Sequence, residues 1–286
     1  MDIATLKTFL ELSRTHHFGK AANDLFITQS AVSARIKQLE DNLGVKLLTR
    51  DRNNIQLTPA GVHFLPLAEQ IVNTWTIARQ TTALEEEKQI LLSLGAIHGI
   101  WDAGLLDSVS LFYLQNDAIA LNLEAHSQEQ LFRKLRENSV DVGFMYEQPQ
   151  LAELKAEPIG HLELVLVTTY QERDLQTLLT NHNYLYVDWG TEFANTHARH
   201  FPNLPPINFR VNWGRLALSY LKAHDGSAYL PRQMINFSLK NKRLCIVEAA
   251  PIIKREYYAV YPVKSHKQTT IEALITRLKQ SAIEAR

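Results

Sequence analysis

The residues best suited to chemistry stand close together near the start of the chain. Thr28, Gln29, Ser30, Ser33, Ala34, Arg35 and Lys37 are interleaved with Val32, Ile36, Leu39 and Leu43. At about 100° of turn per residue, the four apolar residues form one narrow stripe, and Ser30, Ser33, Ala34 and Lys37 lie opposite. That outer face is low and hydroxyl-bearing and carries one long cation. It can come close to a polyanion, hydrogen-bond base edges in a major groove and pair with phosphates. Gln29 stands at the helix start, where base edges are usually met. Arg35 falls on the flank and suits a phosphate, and Ala34 could touch a thymine methyl. A second cationic feature follows. Arg50-Asp51-Arg52-Asn53-Asn54 joins two short extended runs, 47–50 and 55–58. Arg50 and Arg52 therefore project from a hairpin tip toward an adjacent backbone or a minor groove.

These residues must be held by helices. Ile3, Leu6, Phe9 and Leu10 keep helical spacing, as do Phe18, Ala21, Ala22 and Leu25. Gly44 suits the left-handed stop of the third helix. Thr58 and Pro59 open a fourth, as N-cap and first helical residue, which runs to about Lys88 with Pro66 near its start. Along it, Phe64, Ala68, Ile71, Trp75, Ala78 and Thr82 are spaced 4-3-4-3-4, a heptad-like seam for a second copy of the chain. Two plainer readings stay open: a three-helix module that binds protein, and a seam packed on its own domain. The polar run 85–88 reads as a domain joint.

After residue 90, strand-length apolar runs alternate with helical stretches. The strand runs are 91–96, 118–125, 140–146, 162–168, 184–188, 208–211, 227–230, 244–247 and 257–262, and the helical ones 105–114, 128–138, 175–182, 192–201, 215–224 and 270–283. This predicts an α/β domain with a mainly parallel sheet. With 30 Lys+Arg against 30 Asp+Glu, the chain has no bulk attraction for nucleic acid, so placement must supply it. The single cysteine, Cys245, excludes an internal disulfide and suits a reducing compartment. No leader pattern or membrane-length apolar run is seen, so a cytoplasmic protein without membrane contact is expected. His197 and His200, at i and i+3, are read as solvated surface rather than as a metal site. Gly95 and Gly99 complete no cofactor loop, so no metal, cofactor or catalytic residue is expected. The competing reading is an α/β small-molecule-binding protein or enzyme with a helical appendage. It needs a nucleophile–base pair or a cofactor loop, and neither is found.

The run 18–40, which contains Thr28-Gln29-Ser30-Ala31-Val32-Ser33, together with Leu43-Gly44-Val45 and Ile55-Gln56-Leu57-Thr58-Pro59-Ala60-Gly61, resembles the LysR-type transcriptional regulators. Many members carry arginine directly after the helix serine; here Ala34 stands there and Arg35 follows, which implies a different target sequence. The resemblance implies a winged helix-turn-helix domain over 1–58, a linker and dimerisation helix over 59–89, and a periplasmic-binding-protein-like effector domain over 90–286. Subdomain one of that last domain is expected at 91–168 and 263–286 and subdomain two at 169–262, with crossovers near Thr168-Thr169 and Tyr261-Pro262. Implied partners are promoter DNA, a second chain in a homodimer that assembles into a homotetramer, a small-molecule effector and RNA polymerase. The segments 15–22 and 50–55 are most similar to a branch that represses flagellar genes, which implies repression and motility targets. An effector would sit beyond the strand ends, near His98, Trp101, Ser127, Tyr146, Asp188 and Tyr229, with Trp189 as a further aromatic wall.

Overall fold

The structure, a computed structural model, describes residues 2–51, 54–82, 90–171, 174–240 and 244–284. They divide into two units, Met1–Leu84 and Glu85–Arg286. In the first, α1 (Ile3–Thr15), α2 (Phe18–Asp24) and α3 (Gln29–Leu43) enclose a core of Leu6, Phe9, Leu12, Ala21, Val32, Ile36 and Leu39. Each helix start is capped by a side chain, from Asp2, His17 and Thr28 respectively. The α3 helix ends at Gly44, whose φ of 71° is the left-handed stop the sequence predicts. Strands β1 (Leu48–Asp51) and β2 (Asn54–Leu57) pair antiparallel as a hairpin wing. Thr58 then caps α4 (Pro59–Thr82), accepting from the Gly61 amide at 3.0 Å. Gly61 is required there, because a Cβ would lie 2.1 Å from the Leu47 carbonyl oxygen.

The second unit is built on one mixed sheet, in the order β4 (Ile119–Ala125), β3 (Ile90–Ala96), β5 (Val142–Met145), β11 (Ile253–Pro262), β6 (Leu154–Thr168), β9 (Ser227–Pro231), β7 (Tyr184–Val187) and β8 (Phe209–Val211). The short β10 (Cys245–Ile246) also pairs with β6. The sheet is parallel only in its flanks, β4-β3-β5 and β9-β7-β8. Its centre is antiparallel, which corrects the expectation of a mainly parallel sheet. The cause is two long strands, β6 and β11, that serve both flanks. β11 pairs with β5 at Tyr258–Val260, and β6 pairs with β9 at Leu164–Thr168. The sheet thus passes between lobes in the middle of these strands, around 158–164 and 253–258, rather than at their ends. Helices α6 (Leu106–Leu114), α7 (Gln128–Arg136) and α12 (Gln268–Glu284) belong to the first lobe, and α8 (Leu175–Thr180), α9 (Thr191–His200), α10 (Gly214–Ala223) and α11 (Arg232–Lys240) to the second. A short turn of helix, α5 (His98–Ile100), follows β3.

His197 is not the solvated residue its spacing suggested. It is buried on α9 among Tyr186, Phe193, Phe201 and Tyr229, with the Tyr184 hydroxyl 2.6 Å from its Nε2. Burial, with smaller contributions from His200 and Arg210, lowers its pKa to about 4. The unfolded chain takes up this proton near pH 6.5 and the folded one only near 4. Stability is therefore complete above about pH 6.5 and falls as pH drops toward 4, by up to about 3 kcal/mol. Urea melts between pH 7 and 4 should show this slope, and His197→Gln should flatten it. An equal slope in the variant would place the titration elsewhere.

Candidate nucleic-acid interface and regulatory cleft

The α3 helix turns Val32, Ile36 and Leu39 fully inward. Leu43, expected in the same stripe, is instead 37% exposed; the buried position in that last stretch belongs to Glu40. On the outer side Gln29, Ser30, Ala34 and Lys37 are exposed and Ser33 is half-buried. Thr28 is partly committed: its hydroxyl accepts from the Ala31 amide at 3.2 Å and lies 2.9 Å from the Ser30 hydroxyl. Arg35 is half-buried, and its Nη1 donates to the Thr8 hydroxyl at 3.3 Å, which holds it on the α1 flank. In the turn before α3, Phe26 stands 95% exposed with a φ of 54°. Arg50 pairs with Ile55 across the wing, and Arg52 lies outside the described residues.

Glu40 is what joins reader to wing. Its carboxylate, 5% exposed, accepts from the Leu47 and Leu48 amides at 3.0 and 3.3 Å and from Lys46 at 2.7 Å. Burial, the largest influence, pushes its pKa up, but the hydrogen bonds from Lys46 and the two amides outweigh it and the net shift is downward. His16 adds a second tie, its Nδ1 lying 3.0 Å from the Ile55 carbonyl.

On α4 the expected pairing seam divides. Ala68 is fully buried in its own chain and Phe64 packs on Phe9 at 5.5 Å between ring centroids, so these two belong to the winged core. Ile71, Trp75 and Ala78 are exposed. With Leu67 they form a free apolar stripe at i, i+4, i+8 and i+11.

In the second unit the expected effector residues only partly converge. Tyr146 is buried at the lobe junction, where a Cβ on Gly99 would lie 2.7 Å from its hydroxyl. His98 is half-buried, its ring 5.4 Å from that of Trp213. Trp101 donates from Nε1 to the Glu124 carbonyl at 2.8 Å and packs on Phe144. Ser127 is exposed and its hydroxyl caps α7 in a reciprocal capping box with Gln130. Asp188 accepts from the Gly190 amide and lines an open cavity of about 360 Å³ with Tyr186, Arg210 and Leu216. Tyr229 is a correction. It is fully buried, its hydroxyl donates to the Pro251 carbonyl at 3.1 Å, and its ring packs with Phe193, His197 and Phe201, so it is core and not a cleft wall.

Sequence reasoning missed Arg255, which lies in the charged run Lys254-Arg255-Glu256 and so looks solvated. It is 3% exposed. Its Nε donates to the Trp189 carbonyl at 3.2 Å, its Nη1 pairs with Glu192, and its guanidinium lies 4.9 Å over the Tyr146 ring. Arg255 Nη2 and the Tyr146 hydroxyl are buried with no hydrogen-bond partner among the described residues. The phenol's pKa is pushed well up by burial. Among the described residues no His, Cys, Asp and Glu side chains cluster in a way that could hold a metal, and no helix is long and apolar enough to cross a membrane.

Residues 3–62 match the family described as bacterial regulatory helix-turn-helix protein, lysR family, and residues 85–282 match the LysR substrate binding domain. The chain belongs to the LysR family of transcription regulators. It is similar over its whole length to the HTH-type transcriptional regulator HdfR of Yersinia enterocolitica, with 34% identity over 100% of this chain and 99% of that one. HdfR of Yersinia pestis is 33% identical over the same shares. Among solved structures, the LysR family regulator CbnR shares the fold with a TM-score of 0.73 at 20% identity, over 99% of each chain. Full-length OxyR from Pseudomonas aeruginosa gives 0.60 at 19% identity, over 98% of this chain and 95% of that one. The protein is therefore a DNA-binding transcription regulator with an effector-binding domain, not an enzyme.

In this LysR-family reader, Glu40→Ala should cost about 2 kcal/mol, because two amides and a lysine lose a charged acceptor. Operator affinity should fall further than the loss of folded protein explains, since the wing is no longer tied to α3. Urea melts beside DNA titrations at a temperature where the variant is fully folded check both; unchanged affinity there would dismiss the coupling.

Proposed function

We propose that this regulator reads operator DNA with the outer face of α3. Gln29, Ser30, Ser33 and Lys37 address base edges, Ala34 offers apolar contact, and Thr28 and Arg35 contact the backbone. Arg50 and Arg52 of the wing reach the adjacent phosphates or minor groove. The observation that carries this is the composition of the exposed side of α3, small and hydroxyl-bearing around the exposed Lys37, on a helix whose other side is locked into the core. Residues 1–58 act as the reader and 59–89 as the pairing element, with Leu67, Ile71, Trp75 and Ala78 at the contact. Residues 90–286 act as the regulatory half. LysR regulators bind promoter DNA and act as oligomers. For this chain we infer a homodimer that doubles to a homotetramer, RNA polymerase as partner at the promoter, and action in the cytoplasm; family membership supports each of these readings. The lobe junction around His98 and Tyr146 is the place for a small effector. The likeness to HdfR supports repression of motility genes as the output.

Selection of genomic fragments by purified protein at two salt concentrations tests the reading. Wild type should enrich an interrupted palindrome. Lys37→Ala and Gln29→Ala should each blur a position in it, since a base contact carries about 1–3 kcal/mol of discrimination. Binding without preference and with steep release by salt would reduce the domain to an electrostatic binder. For pairing, Ile71→Glu with Trp75→Glu should lower the solution mass on sedimentation and weaken palindrome binding at least tenfold. An unchanged mass would remove the stripe from the interface.

A further inference from the structure

The lobe junction is already filled, and by the chain itself. Trp189 follows β7 in the second lobe and is 1% exposed. Its six-membered ring touches backbone from both lobes. A Cβ built on Gly99, in the first lobe, would lie 2.5 Å from Cζ3, and one on Gly214, at the start of α10 in the second, would lie 2.5 Å from Cη2. Carbon atoms pack at about 3.5–4.0 Å, so only glycine at both positions lets the two lobes meet on this ring.

The ring is also pinned. Its Nε1 donates to the Tyr229 carbonyl at 3.0 Å, and the Trp189 carbonyl accepts from Arg255 Nε. The next residue, Gly190, takes the left-handed φ of 88° and donates its amide to Asp188. Outside the ring a polar latch spans the same gap. Asp102 of the first lobe accepts from Trp213 Nε1 at 2.7 Å and from Arg215 Nε at 2.9 Å, both from the second. The Asp102 carboxylate is only 8% exposed.

We propose that the Trp189 indole is the resident occupant of the inter-lobe cleft and determines what that cleft admits. The chain supplies a planar ring where an effector's ring would sit, so the lobes close without effector and ring-sized aromatic ligands are shut out. This rests on reading the lobe junction as the effector place.

Removing the ring should convert the cleft into an indole site. Trp189→Ala is expected to lower the melting temperature by on the order of 10 °C. Saturating indole should recover at least half of that loss in the variant and leave wild type unmoved. The operator footprint of the variant should then respond to indole, while that of wild type responds to neither indole nor benzoate. A folded variant that ignores indole overturns the proposal. So does a wild type that binds benzoate or indole, with the emission of its buried tryptophan shifting to the red; that result would leave the effector reading standing and remove the plug. If Trp189→Ala does not fold, Gly99→Ala is measured instead. The added methyl should displace the ring and shift tryptophan emission to the red, and unchanged emission overturns the proposal. Operator binding by wild type without additives fails only if the assignment of α3 as reader is wrong.

Discussion

One buried carboxylate orients the DNA-reading half. Taking the Glu40 charge out of water is costly unless hydrogen bonds replace the lost hydration, and here two amides and Lys46 do so. Those amides belong to Leu47 and Leu48, where the wing begins. Two of these residues, Lys46 and Leu47, receive α4 as well. The Thr58 hydroxyl donates to the Lys46 carbonyl and its amide to that of Leu47, while Gly61 lets the helix backbone approach closely. Residues 46–48 are thus the point at which reader, wing and linker helix are fixed to one another. The net charge of zero makes this rigidity matter, because a reader without bulk electrostatic attraction depends on accurate placement of a few groups.

The regulatory half answers to a different constraint. Its two lobes share β6 and β11 rather than being joined by loops, so any change in their relation must pass through the backbone of these two strands. The ladder between them is already irregular at Tyr257/Tyr258, close to the residue where β11 takes β5 as its other neighbour. Arg255 sits two residues before that irregularity, and its guanidinium connects Trp189, Glu192 and Tyr146. Strand geometry and cleft chemistry therefore meet at one side chain.

What the sequence could and could not disclose follows from these contacts. The helices of the winged domain were legible because local capping and apolar spacing agree with the packing. The strands β3, β5, β7 and β9 were legible because both their faces are buried and they read as continuous apolar runs. The first half of β6 was not. Lys155, Glu157, Pro158 and Gly160 look like a loop, yet Glu157 is held by Lys155, Lys279 and Tyr261, which bring its pKa down to about 2. The same holds for Lys254-Arg255-Glu256 in β11, for Glu40 and for His197. In each case a polar residue is held by partners outside its own helix or strand, and periodicity carries no trace of them. The seam on α4 failed in the opposite way: Phe64 and Ala68 are apolar at the right spacing, but the domain they belong to claims them first.

The two halves together imply how such a regulator is controlled. On the proposed pairing of two readers through the stripe on α4, the second half-site contact becomes an intramolecular one. Occupancy then rises steeply with the amount of protein. An effector can shift this balance only through differential affinity for two arrangements of the regulatory half. With the Trp189 ring between the lobes, the closed arrangement already has the contacts that a ring-bearing ligand would otherwise contribute. On the proposal that this ring fills the cleft, such ligands have no contacts left to add, and what remains to set operator occupancy is the amount of regulator.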